Sequence, residues 1–123
     1  MAERELSQVA IVKVGTMDKP MILPMPGNEN FARELAFAGG GEVSAIETRR
    51  FPDGETYLRM LAPVKGRAVD VVATLAGPNP DFLRLAFAAD VARAQGAARV
   101  RLVAPYLAYM RQDKAFKPGE AVT

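Results

Sequence analysis

Two short stretches of this chain gather charged, planar and amide side chains on what must be loops. The first is Arg49-Arg50-Phe51-Pro52-Asp53-Gly54-Glu55. Proline presets φ at one turn position and glycine tolerates positive φ at another, so Pro52-Asp53-Gly54 reads as a tight turn. Such a turn holds one aromatic ring beside two guanidinium groups and two carboxylates. A flat base can stack on Phe51 while Asp53 or Glu55 accepts hydrogen bonds from an exocyclic amine, with Arg50 supporting the loop. Turn chemistry alone also explains the Pro, Asp and Gly. On that alternative the loop is a solvent-facing hairpin and Phe51 tucks into the core.

The second stretch is Arg111-Gln112-Asp113-Lys114, which follows an apolar run and its tyrosine-rich extension. In open α/β sheets, ligands bind beyond the carboxyl ends of strands. Arg111 offers a planar fork suited to phosphate oxygens, Lys114 adds a second positive charge, and Gln112 can read a base or ribose edge. The alternative is a charged, solvated loop. A third stretch, Gly77-Pro78-Asn79-Pro80-Asp81, opens a helix whose amides can hold an anion. Asn79 and Asp81 would already satisfy those amides, and Asp81 would repel phosphate, so capping is its expected role.

Other chemistries are excluded by composition. The chain has no histidine and no cysteine, which rules out Ser/His/Asp and Cys/His triads, disulfides and thiolate metal sites. No Walker-type glycine-rich loop is present. A net charge of +2 is too small to argue for a nucleic-acid surface, although phosphate-bearing small molecules remain natural partners.

The elements that must position these loops alternate between extended and helical runs. Met21-Ile22-Leu23-Pro24-Met25 is a short apolar strand. Residues 29–38 predict a helix with Phe31, Leu35 and Ala38 on one face, capped by the Asn28 side-chain oxygen and stopped at Gly39-Gly40-Gly41. Residues 42–48 and 56–61 read as extended. In the latter, Tyr57 and Arg59 share one face, Leu58 and Met60 the other. Residues 69–75 fit a strand covered on both faces. Residues 80–95 predict a helix with Asn79 as N-cap, Pro80 at the first position and Gly96 beyond its end. Its buried stripe is expected to be Phe82, Leu83, Ala86, Phe87 and Val91. A further strand spans 100–104. The fold class expected is α/β, a mostly parallel sheet flanked by helices with a right-handed crossover.

Residues 1–20 read as an extension, either frayed or an added strand, and residues 21–123 as one α/β domain. Residues 118–123 look like a loop entering another helix, so the domain is expected to be incomplete. No segment is apolar for long enough to span a bilayer, and the charged start carries no signal-peptide pattern, which points to a cytoplasmic protein.

With both loops and the helix between them in view, the chain resembles the ribose-phosphate pyrophosphokinases. Arg50-Phe51-Pro52-Asp53-Gly54-Glu55 is similar to that family's R-F-x-D-G-E signature. The run from Pro105-Tyr106 through Tyr109 to Arg111-Gln112-Asp113-Lys114 is similar to its P-Y-x-x-Y-x-R-Q-D-K/R run. Asn79-Pro80-Asp81-Phe82-Leu83 resembles the start of the helix between them. The resemblance covers residues 21–123 and implies a phosphoribosyltransferase-like domain of an oligomeric enzyme. Such enzymes transfer diphosphate from ATP to ribose 5-phosphate, with Mg2+. It further implies that Phe51, Asp53 and Glu55 contact the adenine of an ATP bound mainly to a neighbouring subunit. Arg111 and Gln112 would line the same site from the other side, with Asp113 and Lys114 shaping that loop. The family's magnesium and ribose-phosphate residues would lie beyond Thr123, so the 123-residue chain alone is expected to be inactive. Two alternatives are a non-catalytic regulatory or scaffolding paralogue that oligomerises with such enzymes, and a plain salvage phosphoribosyltransferase, which gives no reason for the two signatures together.

Overall fold

The computed structural model describes residues 19–122. The expected N-terminal extension therefore lies almost wholly outside the described residues. Its last two positions already belong to the domain: the Pro20 carbonyl accepts from the Glu42 amide at 2.9 Å, and the Lys19 carbonyl from Arg67 at 2.8 Å.

Strand β1 (Met21–Pro24) is buried along its whole length and forms the middle of the domain together with β5 (Ala68–Thr74). Helix α1 (Glu29–Gly39) leads to the two-residue β2 (Glu42–Val43), and helix α2 (Pro78–Ala94) leads to β6 (Arg99–Tyr106). The four strands lie in the order β2-β1-β5-β6, all parallel. Two covered faces explain why β5 is a nearly continuous apolar run. Val69, Val71 and Ala73 join the cluster under α2, while Val72 joins Ile22, Ala32, Leu35 and Val103 under α1. Among the described residues, no helix is long and apolar enough to cross a membrane.

The run over residues 42–48 does not form one strand. It divides into β2, at the sheet edge, and β3 (Ile46–Arg50), which pairs antiparallel with β4 (Thr56–Met60) in a separate hairpin. The alternation read in β4 is correct: Leu58 and Met60, with Ile46, turn towards the α2-side core. Glu47, Arg49, Tyr57 and Arg59 share the outer face, where Glu47 opposes Arg59 and Arg49 opposes Tyr57.

Three local expectations need correction. Helix α2 starts earlier than position 80, with Gly77 as N-cap and Pro78 at its first position. Asp81 Oδ2 accepts from the Gly77 amide at 2.8 Å, and Pro80 costs nothing in the first turn, where amides have no intrahelical partner. The face of α2 against the sheet is Ala88 and Ala92, with Leu85 alongside, not Phe82, Leu83 and Phe87, which keep 48%, 47% and 43% of their surface exposed. Small side chains let the helix axis come close to β5, and the bulky ones are turned aside. In α1, likewise, Ala32 and Leu35 are buried while Ala38 is exposed.

The third correction concerns Asn28, which occupies the N-cap of α1 without any side-chain bond to a helix amide. It is buried, and its amide group ties loop to sheet instead. Nδ2 donates to the Met25 and Pro26 carbonyls at 3.2 and 3.3 Å, and Oδ1 accepts from the Thr74 hydroxyl at 2.8 Å. The glycine stop after α1 is as expected. Gly41, at φ +144, also lies so close to Ile22 that an added Cβ would sit 2.8 Å from its Cδ1.

Asp70 interrupts the apolar run of β5 on the α1 side and is fully buried. Its register partner on β6 is Arg101, whose Nε and Nη2 donate to Oδ1 and Oδ2 at 2.8 and 3.0 Å. Removing the guanidinium would deprive a fully buried carboxylate of its bidentate counter-charge. Arg101→Ala should therefore lower unfolding stability by about 3–5 kcal/mol, whereas the double replacement Asp70→Leu with Arg101→Met should recover most of it. Denaturant titration of the three proteins checks this. The same method tests the phase of α2. Ala88→Leu should cost about 1–3 kcal/mol by overpacking. Phe87→Ala should cost well under the roughly 3–5 kcal/mol typical of a buried ring.

Candidate functional site

The antiparallel pairing of β3 and β4 delivers Phe51 and the acidic residues to the tip of a hairpin. The Phe51 amide donates to the Glu55 carbonyl and the Gly54 amide to the Phe51 carbonyl, both at 2.8 Å. Asp53 Oδ1 accepts from the Glu55 amide at 3.0 Å, so the aspartate builds its own turn. Gly54 adopts φ +96, a conformation that side chains disfavour. A carboxylate has about four acceptor positions, so Asp53 retains capacity for a further donor. Glu55 and Arg50 are exposed, and Arg50 opposes Thr56 across the hairpin.

Phe51 is not tucked into the core. The residue remains 40% exposed, and its ring meets the Tyr57 ring edge-on, with centroids 5.9 Å apart and planes at 89°. The Arg49 guanidinium sits over both rings, 4.3 Å from the Tyr57 centroid and 5.5 Å from that of Phe51. The hairpin tip and the bulky side of α2 enclose a cleft of about 350 Å3, lined by Phe51, Gly54, Glu55, Thr56, Leu83 and Phe87. Leu83 and Phe87, two of the side chains expected in the core, thus form one wall of this cleft. A second cleft of about 450 Å3 lies between the start of α1 and the segment joining β2 to β3, with Arg33 and Thr48 among its lining residues.

The Arg111 loop is held elsewhere. Beyond β6, Tyr109 takes a left-handed backbone conformation at φ 64. Its hydroxyl donates to Asn79 Oδ1, and its ring packs edge-on against Phe82. These contacts fasten the loop to the first turn of α2, and neither Asn79 nor Tyr109 was expected to act this way. The signal available was the tyrosine itself, whose apolar body and polar tip suit a junction between helix and loop. Arg111, Gln112, Asp113 and Lys114 are all exposed. Gln112 Nε2 donates to the Ala121 carbonyl at 3.4 Å, and the Lys114 ammonium lies 5.2 Å from the Phe116 ring centroid. Arg111 and Gln112 do not line the cleft that Phe51 borders. Asp81 caps α2, as expected, but at the Gly77 amide, while Asn79, expected to cap, instead accepts from Tyr109.

Comparison with known proteins decides the family. The family model describing the N-terminal domain of ribose phosphate pyrophosphokinase matches residues 20–123. The chain belongs to this family. Ribose-phosphate pyrophosphokinase of Methanosarcina acetivorans is 37% identical over 102 residues, which is 83% of this chain and 35% of that protein. Ribose-phosphate pyrophosphokinase 2 of Archaeoglobus fulgidus is also 37% identical over 102 residues, covering 83% of this chain and 34% of its own length. The chain thus spans about a third of the length of the curated pyrophosphokinases it matches. Among solved structures, the phosphoribosylpyrophosphate synthetase of Mycobacterium smegmatis superposes with a TM-score of 0.72 at 24% identity, covering 85% of this chain and 35% of that one. A purine phosphoribosyltransferase from Pyrococcus horikoshii gives 0.57 at 15% identity, covering 87% and 76%. These likenesses show that the pyrophosphokinase domain shares its α/β fold with phosphoribosyltransferases.

The hairpin tip depends on the backbone of Gly54. An added Cβ there would meet nothing within 4 Å, so any cost arises from the chain conformation alone. Gly54→Ala should lower stability by about 1–2 kcal/mol and speed amide exchange at the hairpin while leaving the four-stranded sheet protected. Amide hydrogen exchange followed residue by residue checks both parts.

Proposed function

We propose that this domain serves a ribose-phosphate pyrophosphokinase by recognising ATP, in an enzyme that transfers diphosphate from ATP to ribose 5-phosphate for nucleotide biosynthesis. The observation that carries the proposal is the hairpin tip. Phe51 offers a half-exposed ring at the mouth of a cleft, with the Asp53 and Glu55 acceptors two and four residues further on. A ring face and two acceptors suit adenine, which combines a flat π-system with an exocyclic amine. Arg111 and Gln112 would meet the nucleotide from another side, the guanidinium on phosphate, with Arg50, Asp113 and Lys114 shaping the loops.

A site using both loops is proposed to draw on a second copy of the chain. Association into a cytoplasmic homo-oligomer, with the hairpin of one subunit reaching the nucleotide held by its neighbour, supplies that copy. Among the described residues, no three His, Cys, Asp or Glu side chains converge to hold a metal ion. The proposal gives these residues neither a magnesium ligand nor a step of the transfer. The domain's part is recognition and orientation of the nucleotide, and the 123-residue chain alone would not turn over.

Titration of ATP and GTP into the protein and its variants tests the assignment. Phe51→Ala should weaken ATP binding by about 1–3 kcal/mol, the usual worth of stacking a base on an aromatic ring. It should also narrow the preference for ATP over GTP. Arg111→Ala should weaken both nucleotides alike, since phosphates carry no base identity, and Arg111→Lys should restore only part of the loss. Equal, small effects from both positions with unchanged base preference would defeat the proposal.

A further inference from the structure

Phe51 is the first residue beyond β3, and a phenylalanine on a loop normally samples several rotamers or collapses onto the nearest apolar surface. Here Leu83 and Phe87 of α2 provide such a surface, yet a cleft of about 350 Å3 stays open between them and the hairpin tip. The reason lies on the outer face of the hairpin. Arg49 and Tyr57 are direct cross-strand partners, so the pleat places their side chains together on that face. The guanidinium lies 4.3 Å from the Tyr57 ring centroid and 5.5 Å from that of Phe51, within the range of cation–π attraction for both. The Tyr57 ring meets Phe51 edge-on at 89°, the arrangement that aromatic quadrupoles favour.

We infer that Arg49 and Tyr57 are positioning residues that brace the Phe51 ring, holding it off α2 and ready to stack a base. The inference rests on the proposed nucleotide role of Phe51 and extends it to two residues outside the loop signature. Neither brace need touch the nucleotide. Their contribution is made before binding, by removing rotamer freedom that an unbraced ring would lose when a base arrives. Both act from the hairpin's outer face, away from the Ile46, Leu58 and Met60 contacts that anchor it to the core. Their loss should therefore disturb the ring without unseating the hairpin.

The test uses the 123-residue protein with ATP as the probe, followed by NMR at the Phe51 ring protons. Tyr57→Val keeps a strand-favouring side chain but removes the ring. It should shift the Phe51 signals as the ring current is lost, and weaken ATP binding about three- to tenfold. Tyr57→Phe should restore both signals and affinity to within about twofold, because the edge-on contact needs the ring and not the hydroxyl. Arg49→Gln, an exposed change that leaves the backbone ladder intact, should weaken ATP about two- to fivefold. The brace is refuted if Phe51→Ala impairs ATP binding while Tyr57→Val and Arg49→Gln bind like the parent protein. It is refuted equally if Tyr57→Phe is as impaired as Tyr57→Val. Should Phe51→Ala itself leave ATP binding unchanged, the nucleotide proposal fails and the brace falls with it.

Discussion

Asp70 is a carboxylate with no accessible surface, in a strand whose other central residues are apolar. A charge so placed is tolerable only when an opposite charge reaches it with good geometry, and Arg101 does so through two parallel bonds. The pair also fixes alignment. A slip of one residue between β5 and β6 would remove the guanidinium and turn every side chain of β6 to the wrong face. That alignment holds through Val72 and Val103, beyond which an irregularity shifts the register by one residue. Thr74 meets Tyr106 at the far end of the ladder, and the Leu75 amide donates to the Tyr106 carbonyl. Both the entry into α2 and the departure of the Arg111 loop start from this point. The end of the β5–β6 ladder thereby sets where α2 is entered and where the Arg111 loop departs.

The parts of this arrangement that were legible in the sequence are those dictated by backbone chemistry. Pro52, Asp53 and Gly54 announced a turn, and the asparagine and glycine punctuation around α1 marked its limits to within a residue. The apolar run at β5 correctly implied a strand with two covered faces. What misled was the assumption that the most hydrophobic side chains of α2 must face the core. Alanine contributes little to an apolar pattern, yet Ala88 and Ala92 are what close approach to a parallel sheet requires. Hydrophobicity ranks side chains by transfer energy, whereas helix–sheet packing also selects for size. Asn28 misled for a related reason. Its position suits a cap, but burial gave it better partners in Thr74 and two loop carbonyls.

The candidate site was legible as a list of residues and not as a constellation. Local motifs identified Phe51, Asp53 and Glu55 because a tight turn keeps neighbours in sequence close in space. The cross-strand relation of Arg49 to Tyr57 depends on hairpin register, and the Leu83–Phe87 wall depends on how α2 is rotated. Both are set by tertiary contacts that no local pattern reports. The fastening of the Arg111 loop to α2 is of the same kind, since the Tyr109 contacts with Asn79 and Phe82 join residues far apart in sequence.

The Asn28–Thr74 bond has a consequence for where this domain can keep a ligand. In a doubly wound sheet, the gap at the carboxyl ends of the two strands where the winding reverses is the ordinary seat for a nucleotide. In the order β2-β1-β5-β6 that gap falls between β1 and β5. The Asn28 amide lies across it, tied to both sides by three hydrogen bonds. A guest there would have to displace all three, at about 0.5–1.5 kcal/mol each, before making any contact of its own. The domain thus fills this gap with its own polar side chains, whereas the Phe51 hairpin stands outside the four-stranded sheet.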